Sequence, residues 1–466
     1  MVSSRKITAT GKFGRALTAS LLFGTALVAC SQQEPPLPGE RLDLREPFLP
    51  EGAEAETVRV DKLALQSPAV NSEWTHRNGS AQHLIRHPAL GRSLSRVWSV
   101  GIGAGNSRKN AITASPVVGG GRVYTMDSAG SLQAFSLTGQ PVWSRDLTPP
   151  NEKKGEVSGG GVVYANGLLA VTTGHGEVIL ADATTGNIRW RHQMTGAISS
   201  DPLIVGDVVV AVARNNVAIG LDISNGRLLW QQISPGDTSG IAGTGAPAAS
   251  GKLAVLPFAS GEIVGAVTSN GLRAWTATVT GSNKGHARNL VSDISGDPVI
   301  DGTTLYVANQ SGRLAALDRR SGDRLWTAKD GSYSPVWPAG GAIFMITDRF
   351  AVKRLNASDG SEVWSAELPD FKQERDRRKR ATYAYFGPVL AGGQLWVAGS
   401  DGLLRSYNPV DGALTGTVEI PGGAASLPAV ANSTSSRPMA SCTPINKPFQ
   451  EGCDPLERGF NPYTGF

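Results

Sequence analysis

A turn followed by a tryptophan recurs along most of this chain, and this repeat restricts the possible folds more than any other feature. The clearest copy lies in residues 304–328 (TLYVANQSGRLAALDRRSGDRLWTA), where short apolar runs are separated by Gly, Ser, Asn and Asp. Such runs are too short for stable helices and are typical of strands joined by hairpins. In the second turn Gly322 tolerates a positive φ, Asp318 can accept hydrogen bonds from free backbone N–H groups, and Trp326 follows.

The same turn occurs seven times, with its glycine at Gly139, Gly186, Gly226, Gly271, Gly322, Gly360 and Gly412. In six copies a tryptophan follows four residues later, at Trp143, Trp190, Trp230, Trp275, Trp326 and Trp364, whereas Gly416 takes this place in the seventh. A further tryptophan, Trp98, ends an additional apolar run at residues 96–100. These tryptophans recur about every 44 residues, which is the length of a four-stranded propeller blade.

Eight strand endings of this kind predict an all-β, eight-bladed β-propeller of four-stranded antiparallel blades. The ring would be closed by N- and C-terminal strands, the first at Trp98 and the second at residues 426–430. Burying a tryptophan side chain removes roughly 200 Å² of its surface from contact with water. We therefore interpret Trp98 and the six repeat tryptophans as structural residues packed between blades rather than as ligand-stacking groups.

Length and charge agree with one large domain. The 466 residues include 57 glycines and only 18% charged residues, as expected for a turn-rich all-β protein. One ring can take up most of the chain as a single domain. The net charge of +5 is small for this length and no basic face is clustered within the repeats, so no nucleic-acid partner is predicted.

The N-terminus has the pattern of an export signal. Arg5 and Lys6 begin a positive stretch, and residues 16–29 form an apolar run that ends before Cys30. Fourteen apolar residues are too few to span a bilayer comfortably. This end resembles bacterial lipoprotein signals, which implies that Cys30 carries acyl chains such as palmitate and anchors the protein in the outer membrane, facing the periplasm. Ser31 occupies the position that favours the outer membrane in that resemblance.

The predicted domains are a signal peptide at residues 1–29, a flexible tether at 30–70, the propeller at 71–432 and an aberrant tail at 433–466. Codons for residues 432–447, read in a shifted frame, permit Leu-Tyr-Val-Val and then Pro-Asp-Gly-Lys-Leu-His-Ala-Tyr-Gln, similar to DGLLRSY at 401–407. We therefore hypothesise a frameshift that replaced the last two strands, so that Cys442 and Cys453 would carry no information. If the frame is intact, these cysteines are an oxidisable pair and structural rather than catalytic.

Two clusters of charged or titratable residues leave their roles open. His76, His83 and His87 lie within twelve residues, but no carboxylate or cysteine joins them at a ligand spacing, so no metal site is predicted. The second cluster is residues 370–380 (DFKQERDRRKR), which are strongly basic from Lys372 to Arg380. This segment is predicted to be either a solvated loop or a contact surface for anionic lipid or an acidic partner.

The repeat Ala-x-Asp-x-x-Ser/Thr-Gly-x-x-x-Trp, seen at residues 316–326, resembles the pyrroloquinoline-quinone (PQQ)-like propeller repeat. Together with the lipoprotein signal, the eight strand endings and the segment from Trp74 to His83, it makes the chain up to about residue 432 similar to the BamB family. Members of that family are lipoprotein scaffolds of the outer-membrane β-barrel assembly machinery. The repeat indicates only the fold, whereas the combination indicates the function.

The resemblance implies a non-enzymatic ring without a cofactor, which docks on the POTRA domains of BamA and aids the assembly and insertion of nascent outer-membrane barrel proteins. Family contact positions fall on Ile241 and Asp293. The arginine expected beside the first is Ala242, a second expected aspartate is Ser295, and Arg288 is close enough to substitute. An apolar side chain flanked by charge could form a small hot spot, although ordinary loop exposure explains these residues equally well.

Two alternatives belong to other functional classes. A periplasmic quinoprotein dehydrogenase would need an acidic base and calcium ligands at the ring axis and commonly has adjacent cysteines, but the three cysteines here are not adjacent. No C-x-x-C-H haem motif and no nucleophile motif occurs in the sequence. A glycan-binding propeller would expose aromatic side chains on one face, whereas the repeat accounts for most of the tryptophans here.

Overall fold

A computed structural model describes residues 62–235, 245–281, 293–373 and 381–431, and β-strands dominate these ranges. The predicted lipidation site Cys30, the tail at 433–466, Ile241, Arg288 and most of the basic loop lie outside the described residues. Within them, one short 3₁₀ turn, Arg77–Gly79, interrupts the β structure. The described part of the chain contains no helix of the length and apolarity that crossing a membrane requires.

The strands form seven four-stranded antiparallel sheets, each built from consecutive strands, and each sheet is one blade. Blade 1 has β1 (Val117–Gly119), β2 (Arg122–Met126), β3 (Ser131–Ser136) and β4 (Pro141–Asp146). Blade 2 has β5 (Val162–Ala165), β6 (Leu168–Thr172), β7 (Glu177–Asp182) and β8 (Ile188–Gln193). Blade 3 has β9 (Leu203–Val205), β10 (Val208–Ala213), β11 (Val217–Asp222) and β12 (Leu228–Ile233). Blade 4 has β13 (Ala248–Ser250), β14 (Leu253–Pro257), β15 (Glu262–Val267) and β16 (Arg273–Thr278).

The remaining three blades follow the same order. Blade 5 has β17 (Val299–Asp301), β18 (Thr304–Asn309), β19 (Arg313–Asp318) and β20 (Arg324–Ala328). Blade 6 has β21 (Trp337–Ala339), β22 (Ala342–Ile346), β23 (Ala351–Asn356) and β24 (Glu362–Glu367). Blade 7 has β25 (Tyr385–Ala391), β26 (Gln394–Gly399), β27 (Leu403–Tyr407) and β28 (Leu414–Glu419).

The first three strands of each blade are mostly buried, whereas the fourth is mostly exposed. In blade 3 every residue of β10 is buried, whereas most of β12 is exposed. The fourth strands therefore form the outer rim, and the first strands, at the opposite edge of each sheet, line the ring axis. A register shift lies between the third and fourth strands of every blade, as at Gly220/Leu221, directly beside the pair Gly220↔Trp230. This bulge brings the tryptophan to the face that meets the next blade.

The prediction of eight blades is wrong, because the described residues form seven sheets. Residues 94–100 around Trp98 belong to no strand, and residues 426–430 form none. A sheet needs hydrogen-bonded neighbours, and the described chain supplies no second and third strand between these two segments. Apolar side chains instead fill the space between blade 7 and blade 1, among them Ile102, Ile112 and Val430.

The repeat tryptophans join each blade to the turn of the following one. Trp190 Nε1 donates to Ile223 O at 2.9 Å, and its ring lies against Gly226, where an added Cβ would come within 2.6 Å. Gly226 has φ +73°, so both its conformation and its position favour glycine. Trp98 makes the equivalent contact with blade 1, donating to Leu137 O at 3.0 Å. Its segment therefore docks like a fourth strand without belonging to a sheet.

Residues 74–90, hereafter the strap, pass the first strands of the blades in chain order. Its backbone bonds blade 1 at Val118, blade 2 at Tyr164, blade 4 at Ala249, blade 5 at Ile300 and blade 7 at Gly392, with N···O distances of 2.7–3.0 Å. Blade 6 reaches it through the Trp337 indole, and blade 3 through an ion pair described below. Because the first strands face the axis, the strap covers their inner edges on one side of the ring.

Candidate functional site at the loop stems

Two connections between blades carry the predicted partner contacts. The first leaves β12 and enters β13, and the second leaves β16 and enters β17. Ile241 and Arg288 lie in their central parts, at residues 236–244 and 282–292, outside the described residues. Asp293 is the first described residue after the second gap, and its exposed fraction is 0%. Its carboxylate therefore belongs to the base of the connection, not to its surface.

The departing ends of both connections are fixed to neighbouring turns. Ser234 N donates to Asn216 O at 3.0 Å, and the Ser234 and Ser260 hydroxyls lie 2.8 Å apart. The second connection begins at Val279, whose carbonyl accepts from Asn309 Nδ2 at 3.3 Å. Asn216 and Ser260 lie in the turns between second and third strands, and Asn309 ends a second strand at such a turn, so both connections start on the same side of the ring.

The returning ends of the two connections bond directly to each other. Gly245 N donates to Ile294 O at 2.9 Å, and Ala246 N donates to Asp297 Oδ1 at 2.7 Å. Ser295 Oγ in turn donates to Ser332 O at 2.7 Å, in the connection that leads to blade 6. We call residues 245–246 and 293–297 the loop stems. The structure thus brings together the bases of the two segments that the sequence singled out.

A buried ion cluster supports the loop stems from the axis. Arg77 Nε in the strap lies 3.2 Å from Asp297 Oδ2 and 3.7 Å from Asp201 Oδ2. Both carboxylates are almost fully buried, whereas the Arg77 side chain is 14% exposed. Because Asp297 also accepts from Ala246, its two oxygens join the strap to the stem of the first connection.

Burial and charge shift the protonation of this cluster. Burial raises the pKa of Asp201 to about 8; the Arg77 charge opposes this shift and Asp297 adds to it. Burial acts against the charged form of Arg77, but the two carboxylates outweigh it and raise the Arg77 pKa. At neutral pH the cluster is therefore a charged Arg77 held by Asp297, with Asp201 largely protonated at its side.

The three histidines singled out from the sequence have separate structural contacts. Burial, and secondarily His83, lowers the pKa of His76 to about 3. Burial also lowers the pKa of His83, whose Nδ1 lies 2.9 Å from Pro298 O. His87 lies between Gln66 O and Gly393 N, at 2.6 and 2.8 Å. No group of three His, Cys, Asp or Glu residues with metal-binding geometry occurs in the described ranges.

Sequence reasoning missed Arg77, Asp201 and Asp297. A signal was present, because Asp201-Pro202 and Asp297-Pro298 stand at the same place before the first strands of blades 3 and 5. Blades 1 and 4 have the uncharged residues Ser115 and Ala246 before that proline. A buried aspartate just before a strand needs a positively charged partner. Arg77 is that partner in the structure.

Comparison with known proteins was made against families, sequences and solved structures. A family model described as outer membrane protein assembly factor BamB matches residues 128–366, just over half of the chain. BamB of Shewanella oneidensis is 25% identical over 276 residues, which cover 58% of this chain and 69% of that protein. BamB of Bordetella pertussis is 25% identical over 376 residues, which cover 79% and 89% respectively.

Solved structures share the fold at lower identity. BamB from Moraxella catarrhalis has a TM-score of 0.56 and 21% identity, covering 69% of this chain and 89% of that one. A europium-containing methanol dehydrogenase has a TM-score of 0.60 and 16% identity, covering 77% and 87%. The same propeller therefore occurs in a protein with a different function, and the fold alone does not separate the two.

Proposed function

Because this chain belongs to the family of the outer membrane protein assembly factor BamB, we propose that it is a non-enzymatic propeller scaffold of the machinery that assembles outer-membrane proteins. The family match, which spans most of blades 1 to 6, carries this proposal. The aligned region covers most of the length of each of the two relatives named BamB. The protein accordingly acts at the outer membrane and faces the periplasm.

The arrangement at the axis supports a scaffold over a quinoprotein dehydrogenase. The strap pairs with the first strands where a quinone and its calcium ion would need open space and free acidic ligands. The carboxylates found there, Asp201 and Asp297, face Arg77. The dehydrogenases among the structural relatives are also more distant in sequence than the assembly factors are.

At a finer level, we propose that the connections above the loop stems dock on the POTRA domains of BamA. Ile241 would supply an apolar contact and Arg288 a charge at its rim, as in small hot spots of protein interfaces. Joined stems favour this role because they limit how far the two segments can move apart. Cys30 would anchor the protein by acyl chains, and nascent barrel proteins would meet the ring while held near BamA.

A pull-down from solubilised outer membranes tests this proposal. The tagged full-length chain should recover BamA, and an Ile241→Glu, Arg288→Glu double variant should recover at least about tenfold less, as expected for the loss of a hot spot. Asp293 is left unchanged because it is buried, and its substitution would test folding.

The matched control is Leu325→Glu, on the outer strand of blade 5, where the side chain is 55% exposed. This variant should recover BamA as the unaltered chain does. If the unaltered chain recovers no component of the assembly machinery, the scaffold function is wrong. If both variants recover BamA equally, the assignment to these two connections is wrong while the scaffold function stands.

A further inference from the structure

The turn between the second and third strands of each blade ends with a residue in the left-handed region. Each of these residues directly precedes the third strand and has a φ between +60° and +89°. In chain order they are Gly130, Gly176, Asn216, Gly261, Gly312, Phe350 and Gly402. Glycine and asparagine tolerate this conformation, whereas a bulky side chain adopts it only at a cost. Phe350 in blade 6 is therefore strained at a place that the other six described blades fill with glycine or asparagine.

The backbone of this turn does not require phenylalanine. Phe350 N donates to Thr347 O at 3.2 Å, and Phe350 O accepts from Leu368 N at 2.7 Å. Gly261 forms the same two hydrogen bonds in blade 4, at 3.1 and 2.9 Å. Since glycine makes these bonds without conformational strain, the reason for phenylalanine lies in the contacts of its side chain.

The Phe350 side chain is divided between the core and the surface of the described chain. It packs against the core cluster that includes residues of blades 6 and 7, but it stays half-buried. With half-buried Tyr333 and buried Tyr385 it lines a cleft of about 20 Å³, which has room for one water molecule and for no larger ligand. Phe350 and Tyr333 thus form a shallow aromatic surface rather than a pocket, and such a surface suits contact with a protein.

This aromatic surface is continuous with the loop stems. It lies on the side of the ring where both connections start, because Phe350 occupies in blade 6 the place of Gly261 at the start of the second connection. Ser295 Oγ in the loop stems donates to Ser332 O at 2.7 Å, and Tyr333 is the next residue of the chain. A typical stable interface buries about 800 Å² on each partner. A partner that docks on the two connections therefore needs contacts beyond them, and the approach to blade 6 adjoins the loop stems directly.

We propose that Phe350, with Tyr333 beside it, is an aromatic anchor of the surface that docks on the POTRA domains of BamA. This inference rests on the proposed function and adds a contact on blade 6 to those of the two connections. The phenyl ring would pack against an apolar patch of the partner and lose its remaining exposure to water, as aromatic anchors of protein interfaces do. The left-handed backbone at φ +60° holds the ring in this place, and local strain of this kind is typical of functional sites.

The test measures recovery of BamA from solubilised outer membranes by tagged full-length variants. Phe350→Gly and Phe350→Asn introduce the residue types that the other blades have at this place, and each should recover at least about fivefold less BamA than the unaltered chain. Phe350→Tyr keeps the aromatic ring and should recover BamA as the unaltered chain does. The matched control is Val410→Gly, which removes a 52% exposed apolar side chain from a turn between third and fourth strands, on the opposite side of the ring. This control should also recover BamA normally.

Thermal unfolding of each variant separates binding from packing. Phe350→Gly loses packing but also loses the left-handed strain, so its unfolding temperature should stay close to that of the unaltered chain. Equal recovery of BamA by Phe350→Gly and the unaltered chain would overturn this inference and leave the scaffold function intact. A loss of recovery together with a large fall in the unfolding temperature would also overturn it, because Phe350 would then act by packing alone. If the unaltered chain recovers no assembly component, the scaffold function is wrong and this inference fails with it.

Discussion

Replacing Arg77 with methionine removes the only cation of the described axial cluster while keeping an unbranched apolar stem. Asp297, with a fully buried side chain, then loses the guanidinium 3.2 Å from its Oδ2. Removing one partner of a buried ion pair costs about 3–5 kcal/mol. Because the Asp201 pKa is raised to about 8, only Asp297 needs a counter-charge at neutral pH, and we expect a loss of about 3 kcal/mol.

The assay is chemical unfolding at pH 7, followed by tryptophan fluorescence, since the repeat tryptophans report on contacts between blades. The control is Arg86→Met, in the same strap, where the guanidinium lies 3.4 Å from Asp301 with a side chain 61% exposed. An exposed pair of this kind contributes about 0–1 kcal/mol. Combining Arg77→Met with Asp297→Asn should recover part of the loss, because the uncompensated charge is gone.

A loss below about 1 kcal/mol for Arg77→Met, or a loss equal to that of Arg86→Met, would refute this reasoning. The first result would mean that the buried Asp297 side chain does not depend on the Arg77 charge for its stability. A large loss that Asp297→Asn does not relieve would instead assign the effect to packing around the Arg77 stem.

Two further predictions follow from the same structure. The pKa of Asp201 is higher in the folded state, so its contribution to the free energy of unfolding is complete below the unfolded pKa near 3.8 and is lost as pH rises towards 8. The pKa of His76 is lower in the folded state, so its contribution is present above pH 6.5 and is lost as pH falls towards 3. Between pH 6.5 and 8 stability should therefore fall by about 1.4 kcal/mol per pH unit, measured by unfolding across this range, and Asp201→Asn should remove the decline. Gly226→Ala should cost about 2–4 kcal/mol, because it places a Cβ within 2.6 Å of the Trp190 ring at φ +73°. Gly206→Ala, at φ +56° with open space around the Cβ, should cost only about 1–2 kcal/mol, and similar losses for both would exclude steric contact with the tryptophan as the cause.

Local features made most of the blades predictable from sequence. Each turn glycine and the tryptophan after it lie within one hairpin, so Gly226 and Trp230 could be recognised without knowledge of the rest of the fold. The number of blades depends on pairing between distant segments. Trp98 docks on blade 1 as the other tryptophans dock on their neighbours, and counting such endings therefore counted one docked segment as a sheet.

The candidate site was predictable only in its location along the chain. Position in a connection between blades suggested an exposed Asp293, but the side chain turns into the base of the connection. The cluster of Arg77, Asp201 and Asp297 joins the strap to blades 3 and 5. No local sequence pattern predicts an ion pair between Arg77 and aspartates so much later in the chain. Only closure of the ring brings these side chains into contact.

The path of the strap has a consequence for the order in which the ring can be completed. Its contact with Val118 joins segments close in sequence, whereas His87 accepts from Gly393 N across 306 residues. During synthesis or export from the N-terminus, the strap emerges before every blade, yet its final contact must wait for blade 7. Closing such a long loop is slow because its entropy is lost before the contact forms. The strap is thus synthesised first but completes its contacts last, and each blade that folds binds one more of its polar groups.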